Sequence, residues 1–285
     1  MSLKPFVKWA GGKRQILHKI KAYFPKPEEF NNYHEPFIGA GSVFMELSNS
    51  GWFGDKDIFI SDIMQPLINV YETIRDTPDE LMHELDHYTQ YTSEKDAFNK
   101  ARQLYNSLKV DPSSQSILMA ALFIYLNKTG YNGMYRENKK GEFNIPFGKH
   151  PPMVMLYHAD QIKQLSCILR NPRVHVIAQN YKHGADNVRQ TDFVYMDPPY
   201  YGTFSKYNKD DFGKEKHVEL RDYFIALTNR GCKVALSNSN DPFIMELYAN
   251  IPGVRIVEIE ARRYVNSNPD KRNEYHKELL IMNYS

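Results

Sequence analysis

Short apolar runs that stop at glycine, proline or an acid alternate along this chain with longer segments of helical spacing. Residues Asn31–Ser50 open with a brief run of mixed polarity. They continue through Pro36-Phe37-Ile38-Gly39-Ala40-Gly41-Ser42 and then space Val43, Phe44 and Leu47 as a helix does. This predicts strand, glycine turn, helix. A second unit follows, with the β-branched run Ile58-Phe59-Ile60-Ser61-Asp62 ahead of a helical pattern over Pro66–Ile74. From Thr77 to about Tyr125 the pattern is helical throughout, with Leu81, Leu85 and Tyr88 on one face and an apolar helix over Ile117–Leu126. Residues Asn127–His150 keep neither period, are punctuated by glycine, and predict a surface loop or hairpin of functional length. Strands then return at Val174–Ala178, Asp192–Met196 and Lys233–Ser237, with helices near His217–Asn229 and Pro242–Tyr248 and closing strands over Val254–Glu260 and Lys277–Asn283. Such alternation predicts a largely parallel sheet covered on both faces. The fold class is therefore α/β, with residues 1–62 and 174–285 building one domain and residues 63–173 a helical and loop-rich insertion.

Composition narrows the class without naming a chemistry. With 285 residues, 42% hydrophobic and 25% charged, the chain resembles an ordinary folded globular protein. No apolar run approaches the ~18 residues of a membrane span, and the first residues carry no apolar block, so a cytoplasmic location is expected. Cys167 and Cys232 are too few and too isolated for a disulfide framework or a thiolate site. The ten histidines include no helical pair accompanied by an acid, and no metal is expected. Charge changes the picture more. The first 26 residues hold seven lysines and arginines and no acid, so a net +2 leaves −5 for the rest. Two further stretches, Lys128–Lys149 and Arg262–Lys277, each hold five basic residues against two acids. Concentrated basic charge in a nearly neutral chain suits a face that meets phosphates, although a solvated surface gives the same count.

Three places carry candidate chemistry. The turn Phe37-Ile38-Gly39-Ala40-Gly41 follows a strand, where glycine permits a sharp bend and close approach to a ligand. Phe44 stands where a dinucleotide fingerprint needs its third glycine, which argues against NAD or FAD. Asp62 ends the next strand, where an acid can accept hydrogen bonds from ribose hydroxyls. The most specific signal is Asp197-Pro198-Pro199-Tyr200, directly after the apolar strand. The prolines hold their neighbours extended, so the Asp197 carboxylate and the Pro198 carbonyl can point into the cleft where open α/β sheets bind ligands. Two such acceptors can take both hydrogens of an exocyclic amine while Tyr200 stacks on its ring. The lone pair of an aromatic amine is conjugated into the ring, so acceptors that favour the charge developing on nitrogen during attack fit amino-group chemistry. Ser237-Asn238-Ser239-Asn240 closes a strand at the same sheet edge and is placed to position that loop.

In order and spacing, Pro5-Phe6-Val7-Lys8-Trp9-Ala10-Gly11-Gly12-Lys13, Glu35-Pro36-Phe37-Ile38-Gly39-Ala40-Gly41-Ser42 and Asp197-Pro198-Pro199-Tyr200 resemble the DNA adenine-N6 methyltransferases of the Dam type, the α group of amino-methyltransferases. The resemblance implies a Rossmann-like S-adenosylmethionine-dependent methyltransferase sheet with an inserted target-recognition domain, and S-adenosylmethionine as donor. It places Trp9, Ala10, Gly11, Gly12, Lys13, Phe37, Gly39, Ala40, Gly41 and Ser42 around the cofactor, with Asp62 at the ribose, Asn180 and Tyr181 near the adenine, and Asp197 beside the transferred methyl. Asn127, Tyr131-Asn132-Gly133-Met134-Tyr135-Arg136 and Gly141-Glu142-Phe143-Asn144-Ile145-Pro146-Phe147-Gly148 resemble the hairpin by which such enzymes read GATC. By that resemblance Arg136 reads a guanine, Tyr131 inserts beside the flipped base, Pro146 meets a thymine methyl and Lys8 contacts the first guanine. Met134 stands where leucine is common. Those pairings suit the groove chemistry of each base. Arg262-Arg263 and Asn266–Arg272 resemble a basic hairpin laid against DNA.

The expected activity is transfer of methyl to adenine N6 in double-stranded DNA, at GATC, by base flipping. A longer site beginning with GA, such as GATATC, would use Arg136 equally well. A cytosine-N4 or RNA adenine enzyme fits the hairpin less well, a catalytically silent DNA-binding relative leaves Asp197–Tyr200 without a purpose, and a small-molecule methyltransferase leaves the basic stretches without one. A monomer is expected, and a restriction endonuclease encoded elsewhere is a possible partner.

Overall fold

A computed structural model describes residues 3–9, 11–109, 116–149, 151, 153–202, 212–262 and 275–285. Seven strands form one sheet: β1 Tyr33–Glu35, β2 Ile58–Asp62, β3 Val174–Ala178, β4 Phe193–Met196, β5 Lys233–Ser239, β6 Arg255–Arg262 and β7 Tyr275–Met282. Their order is β3-β2-β1-β4-β5-β7-β6. The first five in space are parallel, and β7 runs antiparallel between β5 and β6. This is the doubly wound, Rossmann-like arrangement with one antiparallel strand, β7, inserted between β5 and the edge strand β6.

Strand β1 pairs with β2 on one side and β4 on the other. Successive crossovers therefore leave it in opposite directions and open a crevice at the carboxyl ends of these strands. The pleat decides which core each side chain joins. Phe193 and Tyr195 of β4 enter one cluster with Tyr33, Phe24 and Phe44, whereas Val194 and Met196 enter the other with Leu220, Phe224 and Ile244. All four residues of β4 are buried, as a central strand covered on both faces requires.

Nine helices lie among the described residues: α1 Leu17–Lys21, α2 Ser42–Asn49, α3 Gln65–Asp76, α4 Pro78–Thr89, α5 Lys95–Leu108, α6 Ile117–Thr129, α7 Ala159–Leu169, α8 Lys214–Asn229 and α9 Pro242–Ala249. Helix α6 is apolar all round and is buried among α3, α4 and α5, as such a helix must be. Helix α3 packs on β2 and β3 and also on α6 and α7, so it links the sheet to the helical segment. Helix α7 lies outside the elements expected from sequence. Its apolar face, Ile162, Leu165 and Leu169, is narrow, and the preceding apolar, proline-containing run of residues 151–158 offers no side-chain cap to signal its start.

Asp192 fastens the start of β4 to β1. Its carboxylate is completely buried and accepts from the Asn32 backbone N–H at 3.1 Å, Asn32 Nδ2 at 3.2 Å and the Arg189 backbone N–H at 2.8 Å, and it meets His34 Nε2 at 2.9 Å. Replacing it by alanine leaves several buried donors unmatched at once. Asp192→Ala is expected to destabilise the fold by roughly 3 kcal/mol, since each orphaned buried donor costs about 1–3 kcal/mol. Urea unfolding measures this as a lower midpoint at unchanged slope; a loss below ~0.5 kcal/mol would make the bracket incidental.

Candidate active site

The crevice is bordered by the ends of β1, β2, β4 and β5, and each end contributes an acid or a turn. After Glu35 the chain makes its glycine turn, with Gly39 at φ +49° and Gly41 at φ +72°, both in the left-handed region. A Cβ at Gly39 would lie 2.9 Å from the Trp9 indole and one at Gly41 would lie 2.5 Å from the Tyr71 hydroxyl, so neither position accepts a side chain. The Tyr71 hydroxyl donates to Gly39 O at 2.9 Å. Asp62 accepts from the backbone N–H of Gly39 at 3.1 Å and of Met64 at 3.0 Å, tying the glycine turn to the next crossover. Burial raises its carboxyl above the ordinary value, and these amide bonds offset part of the rise. Beside it Ile63 stands 60% exposed, an apolar surface that the sequence reading did not single out.

The other expected cofactor residues surround this turn. Ala40 is buried, and Ser42 opens α2 with its hydroxyl 3.6 Å from where a Cβ on Gly12 would be. Gly11 takes φ +77° and borders open space; Ala10 lies outside the described residues. The Phe37 ring lies 5.1 Å from that of Tyr181, whose side chain is buried. Asn180 accepts from the Lys182 backbone N–H at 3.0 Å.

Asp197 follows β4 directly. Its Oδ1 is enclosed, with the Lys13 ammonium 2.7 Å away, and 19% of the side chain remains exposed. Lys13 is itself buried, donates to Gly11 O at 2.6 Å and lies 4.5 Å from the centre of the Tyr200 ring. Asp197 and Tyr200 thus converge on one cation. Pro198 is buried and Pro199 half-buried between them. Burial pushes the Asp197 carboxyl up to about 6; Lys13 opposes this and the charge of Glu278 adds to it. Glu35 lies deeper, accepts from the Tyr33 hydroxyl at 2.7 Å and is pushed up by burial to about 8. The strand-end segment Ser237–Asn240 supports the loop as expected: Asn238 Oδ1 accepts from the Tyr201 backbone N–H at 3.3 Å, the Ser239 hydroxyl donates to Tyr201 O at 2.8 Å, and the hydroxyls of Ser237 and Tyr195 are 2.9 Å apart.

A second surface is the hairpin over 130–148, closed by bridges between Gly130 and Phe147 and between Glu137 and Phe143. Tyr131 is 47% exposed, and Asn132, in the left-handed region at φ 55°, and Pro146 are also exposed. Arg136 is half-buried and its Nε donates to Asn144 Oδ1 at 2.8 Å, which fixes the plane of the guanidinium. Met134 packs against the core. Gly133 is buried under the exposed Lys8, whose side chain leaves no room for a Cβ there. Asn127, expected at DNA, is fully buried instead. Its Nδ2 donates to the carbonyls of Lys8 and Gly133, both at 2.9 Å, and its Oδ1 accepts from the Lys8 N–H at 2.9 Å. That correction has a plain cause: its hydrogen-bonding groups are spent on joining the Lys8 segment to the hairpin. Lys128, half-buried near Lys8, has its ammonium pKa lowered by burial and by the charge of that neighbour, a cationic pair missed in the sequence. The basic stretch Arg263–Arg272 lies outside the described residues.

Helix α5 holds the hairpin along one face. Arg102 donates to Ile145 O at 3.3 Å, Asn106 brackets the backbone of Phe143 at 3.1 and 2.8 Å, and Lys109 pairs with Glu137 and donates to Gly141 O at 2.9 Å. These positions, at i, i+4 and i+7, share a helix face.

Comparison with known proteins agrees with this geometry. A model of the D12 class N6 adenine-specific DNA methyltransferases matches residues 9–265. The chain is 38% identical over 299 residues to the Type II methyltransferase M.MjaIII of Methanocaldococcus jannaschii, with 100% of each chain covered. It is 33% identical to the Type II methyltransferase M1.LlaDCHI of Lactococcus lactis subsp. cremoris, over 100% of this chain and 96% of that one. To the DNA adenine methylase of Escherichia coli (strain K12) it is 29% identical, over 98% and 95%. With a crevice at the sheet's switch point, Asp197-Pro198-Pro199-Tyr200 on its central strand and a match that spans the chain, this protein belongs to the D12 class of N6 adenine-specific DNA methyltransferases.

Proposed function

We propose that the enzyme transfers a methyl group from S-adenosylmethionine to N6 of an adenine in duplex DNA, within GATC, after the adenine has turned out of the stack. The observation that carries the reading is the convergence of the Asp197 carboxylate and the Tyr200 ring on one cation, 2.7 Å from the first and 4.5 Å from the centre of the second. An aromatic amine bound to that carboxylate with its ring on Tyr200 needs the same two surfaces. Lys13 therefore stands where the amine would come, and it yields or shares Asp197 when the base arrives.

The residues present fit a cationic nucleoside cofactor. Asp197 keeps 19% of its side chain exposed at the crevice and is pushed up by burial and by the charge of Glu278, so a ligand carrying positive charge is favoured beside it. Gly11 borders open space, and Ile63 offers an apolar surface beside Asp62. Trp9, Gly39 and Ser42 would border the methionine part, Asp62 the ribose, and Phe37 with Asn180 and Tyr181 the adenine. When bound, the sulfonium supplies an electrophilic methyl. Asp197 accepts hydrogen bonds from the amine and offsets the charge that grows on its nitrogen, with the Pro198 carbonyl as second acceptor, and the released proton passes to solvent. Residues 63–173 form the reading segment in this account, and 1–62 with 174–285 the catalytic one.

The exposed tip supports duplex recognition. Tyr131 is placed to enter the stack, Pro146 to touch a thymine methyl and Arg136, held by Asn144, to give two hydrogen bonds to guanine. Lys8 and Lys128 supply charge at its root. An enzyme acting on one base needs no symmetry, and a monomer is proposed. The Type II names of two relatives suit a restriction endonuclease encoded elsewhere.

The deciding experiment offers labelled S-adenosylmethionine with duplexes that differ only as GATC and GTTC and identifies the product base by mass. N6-methyladenine is expected in the first alone, and Asp197→Ala is expected to lose transfer while DNA binding stays within a few fold. An active alanine variant would remove Asp197 from the chemistry, and transfer only to GATATC would lengthen the site. Arg136→Ala should cost ~1–3 kcal/mol of discrimination at one guanine; a uniform loss over all sequences would instead make Arg136 a phosphate contact. The pH profile follows from Asp197. Its pKa is raised to about 6, and the ionised form is the one that accepts the amine, so kcat/KM should fall as pH drops through about 6 and level off above it. A profile flat from pH 5 to 8 would contradict this.

A further inference from the structure

The last strand sends one acid into the catalytic crevice. Because β7 runs antiparallel to β5, its beginning lies at the carboxyl end of the parallel strands, and Glu278 stands opposite Ser239 of β5. Leu280 and Met282, two and four residues on, enter the core that also holds Tyr195. Glu278 therefore faces inward on the Tyr195 side of the sheet, while its neighbour Lys277, on the opposite side with the buried Leu279 and Ile281, pairs with Glu258. A half-buried carboxylate at an inward strand position needs a polar partner to offset its desolvation. One such partner is the Tyr200 hydroxyl, which donates to Glu278 Oε2 at 2.7 Å across 78 residues of sequence.

We propose that Glu278 is a positioning residue for methyl transfer, holding the Tyr200 ring by its phenol as the stacking face for the target base and placing a second negative charge within reach of Asp197. It rests on Asp197 and Tyr200 acting as proposed above. A phenyl ring held only by side-chain packing can swing about its Cα–Cβ bond, whereas a phenol anchored at its far end has the direction of its long axis set. The Lys13 ammonium over the same ring then marks the surface that the base takes. The groups that face Asp197 among the described residues are Lys13 ahead of α1, Tyr33 and Glu35 of β1, Tyr195 of β4, Tyr200 and Glu278 of β7. Of these, Lys13 favours the Asp197 carboxylate and Glu278 opposes it, in addition to burial. A single side chain thereby acts on both members of the motif.

Two variants separate the geometric part from the electrostatic one. Glu278→Gln keeps an acceptor for the phenol and removes the charge; Glu278→Ala removes both. Glu278→Ala should lower kcat roughly 10- to 100-fold, as misplacement of a bound group does, with cofactor affinity and KM for GATC duplex within about two-fold. Glu278→Gln should retain most of kcat at pH 8 and move the low-pH limb of kcat/KM downward, because Asp197 then ionises more readily. Tyr200→Phe, which keeps the charge, should leave that limb in place, and adding Glu278→Ala to Tyr200→Phe should cost little more than Tyr200→Phe alone. Wild-type kcat in Glu278→Ala, an unmoved limb in Glu278→Gln, or multiplying effects in the double variant would overturn the proposal. Should the alanine variant fail to fold, the isosteric glutamine variant and its limb carry the test. An active Asp197→Ala enzyme would remove the underlying reading instead, so the two failures remain distinct.

Discussion

A carboxylate that accepts hydrogen bonds from a neutral amine must be shielded from water and yet ionised, and those demands oppose each other. Burial alone would leave Asp197 protonated near neutrality. The Lys13 ammonium at 2.7 Å restores the charged form, and the remaining rise to about 6 leaves the carboxylate ionised at neutral pH. Much of the fold serves that balance. The short turn after Gly12 delivers Lys13, β4 delivers Asp197, the buried Asp192 bracket fixes where β4 begins, and the Asn238–Ser239 turn supports the chain just past Tyr200. Glu35, pushed up to about 8, is mostly protonated at neutral pH and so adds little negative charge beneath the site.

The hairpin, as the proposed reading surface, meets a different requirement. A side chain that distinguishes bases must hold its geometry before DNA arrives, or the cost of ordering it is subtracted from discrimination. The hairpin is ragged in sequence, without a strand long enough to be self-supporting, and its order comes from α5. Arg102, Asn106 and Lys109 hydrogen-bond its backbone at successive turns of the helix, while the Tyr105 and Tyr135 hydroxyls meet at 3.2 Å. The buried Asn127 ties the same hairpin to the Lys8 segment, which leads within five residues to Lys13. The hairpin and the Lys13–Asp197 pair, to which reading and catalysis are assigned in the proposal, are therefore joined by one short piece of chain.

The sheet was legible because its strands are apolar on both faces and end at punctuating residues: Ile58–Asp62 and Phe193–Met196 stand out without any tertiary information. The glycine turn and Asp197–Tyr200 were legible for a related reason, since positive φ and proline-fixed backbone restrict residue type locally. What stayed hidden depended on partners remote in sequence. Helix α7 has a narrow apolar face whose meaning depends on α3 and α4. Asn127 reads as an exposed amide until the fold buries it between two backbones. Lys13 reads as a cofactor neighbour, and only the crevice shows it against Asp197.

Glu278 is the clearest case of that division. In sequence it sits in Lys277-Glu278-Leu279-Leu280, one acid of a charged pair ahead of an apolar run, and nothing local separates it from a solvated strand end. Pleat parity and the site together separate it: Lys277 and Glu278 point to opposite faces, each of them core further along the strand, and of the two it is Glu278 that shares the face of Tyr195 and meets Tyr200, inward at the crevice. The antiparallel insertion of β7 then turns an inward acid near the start of a strand into one at the carboxyl end of β5, beside the residues that follow β4. An inserted antiparallel strand thus contributes more than width to this sheet, because only an antiparallel strand can bring its beginning to the end where parallel strands finish.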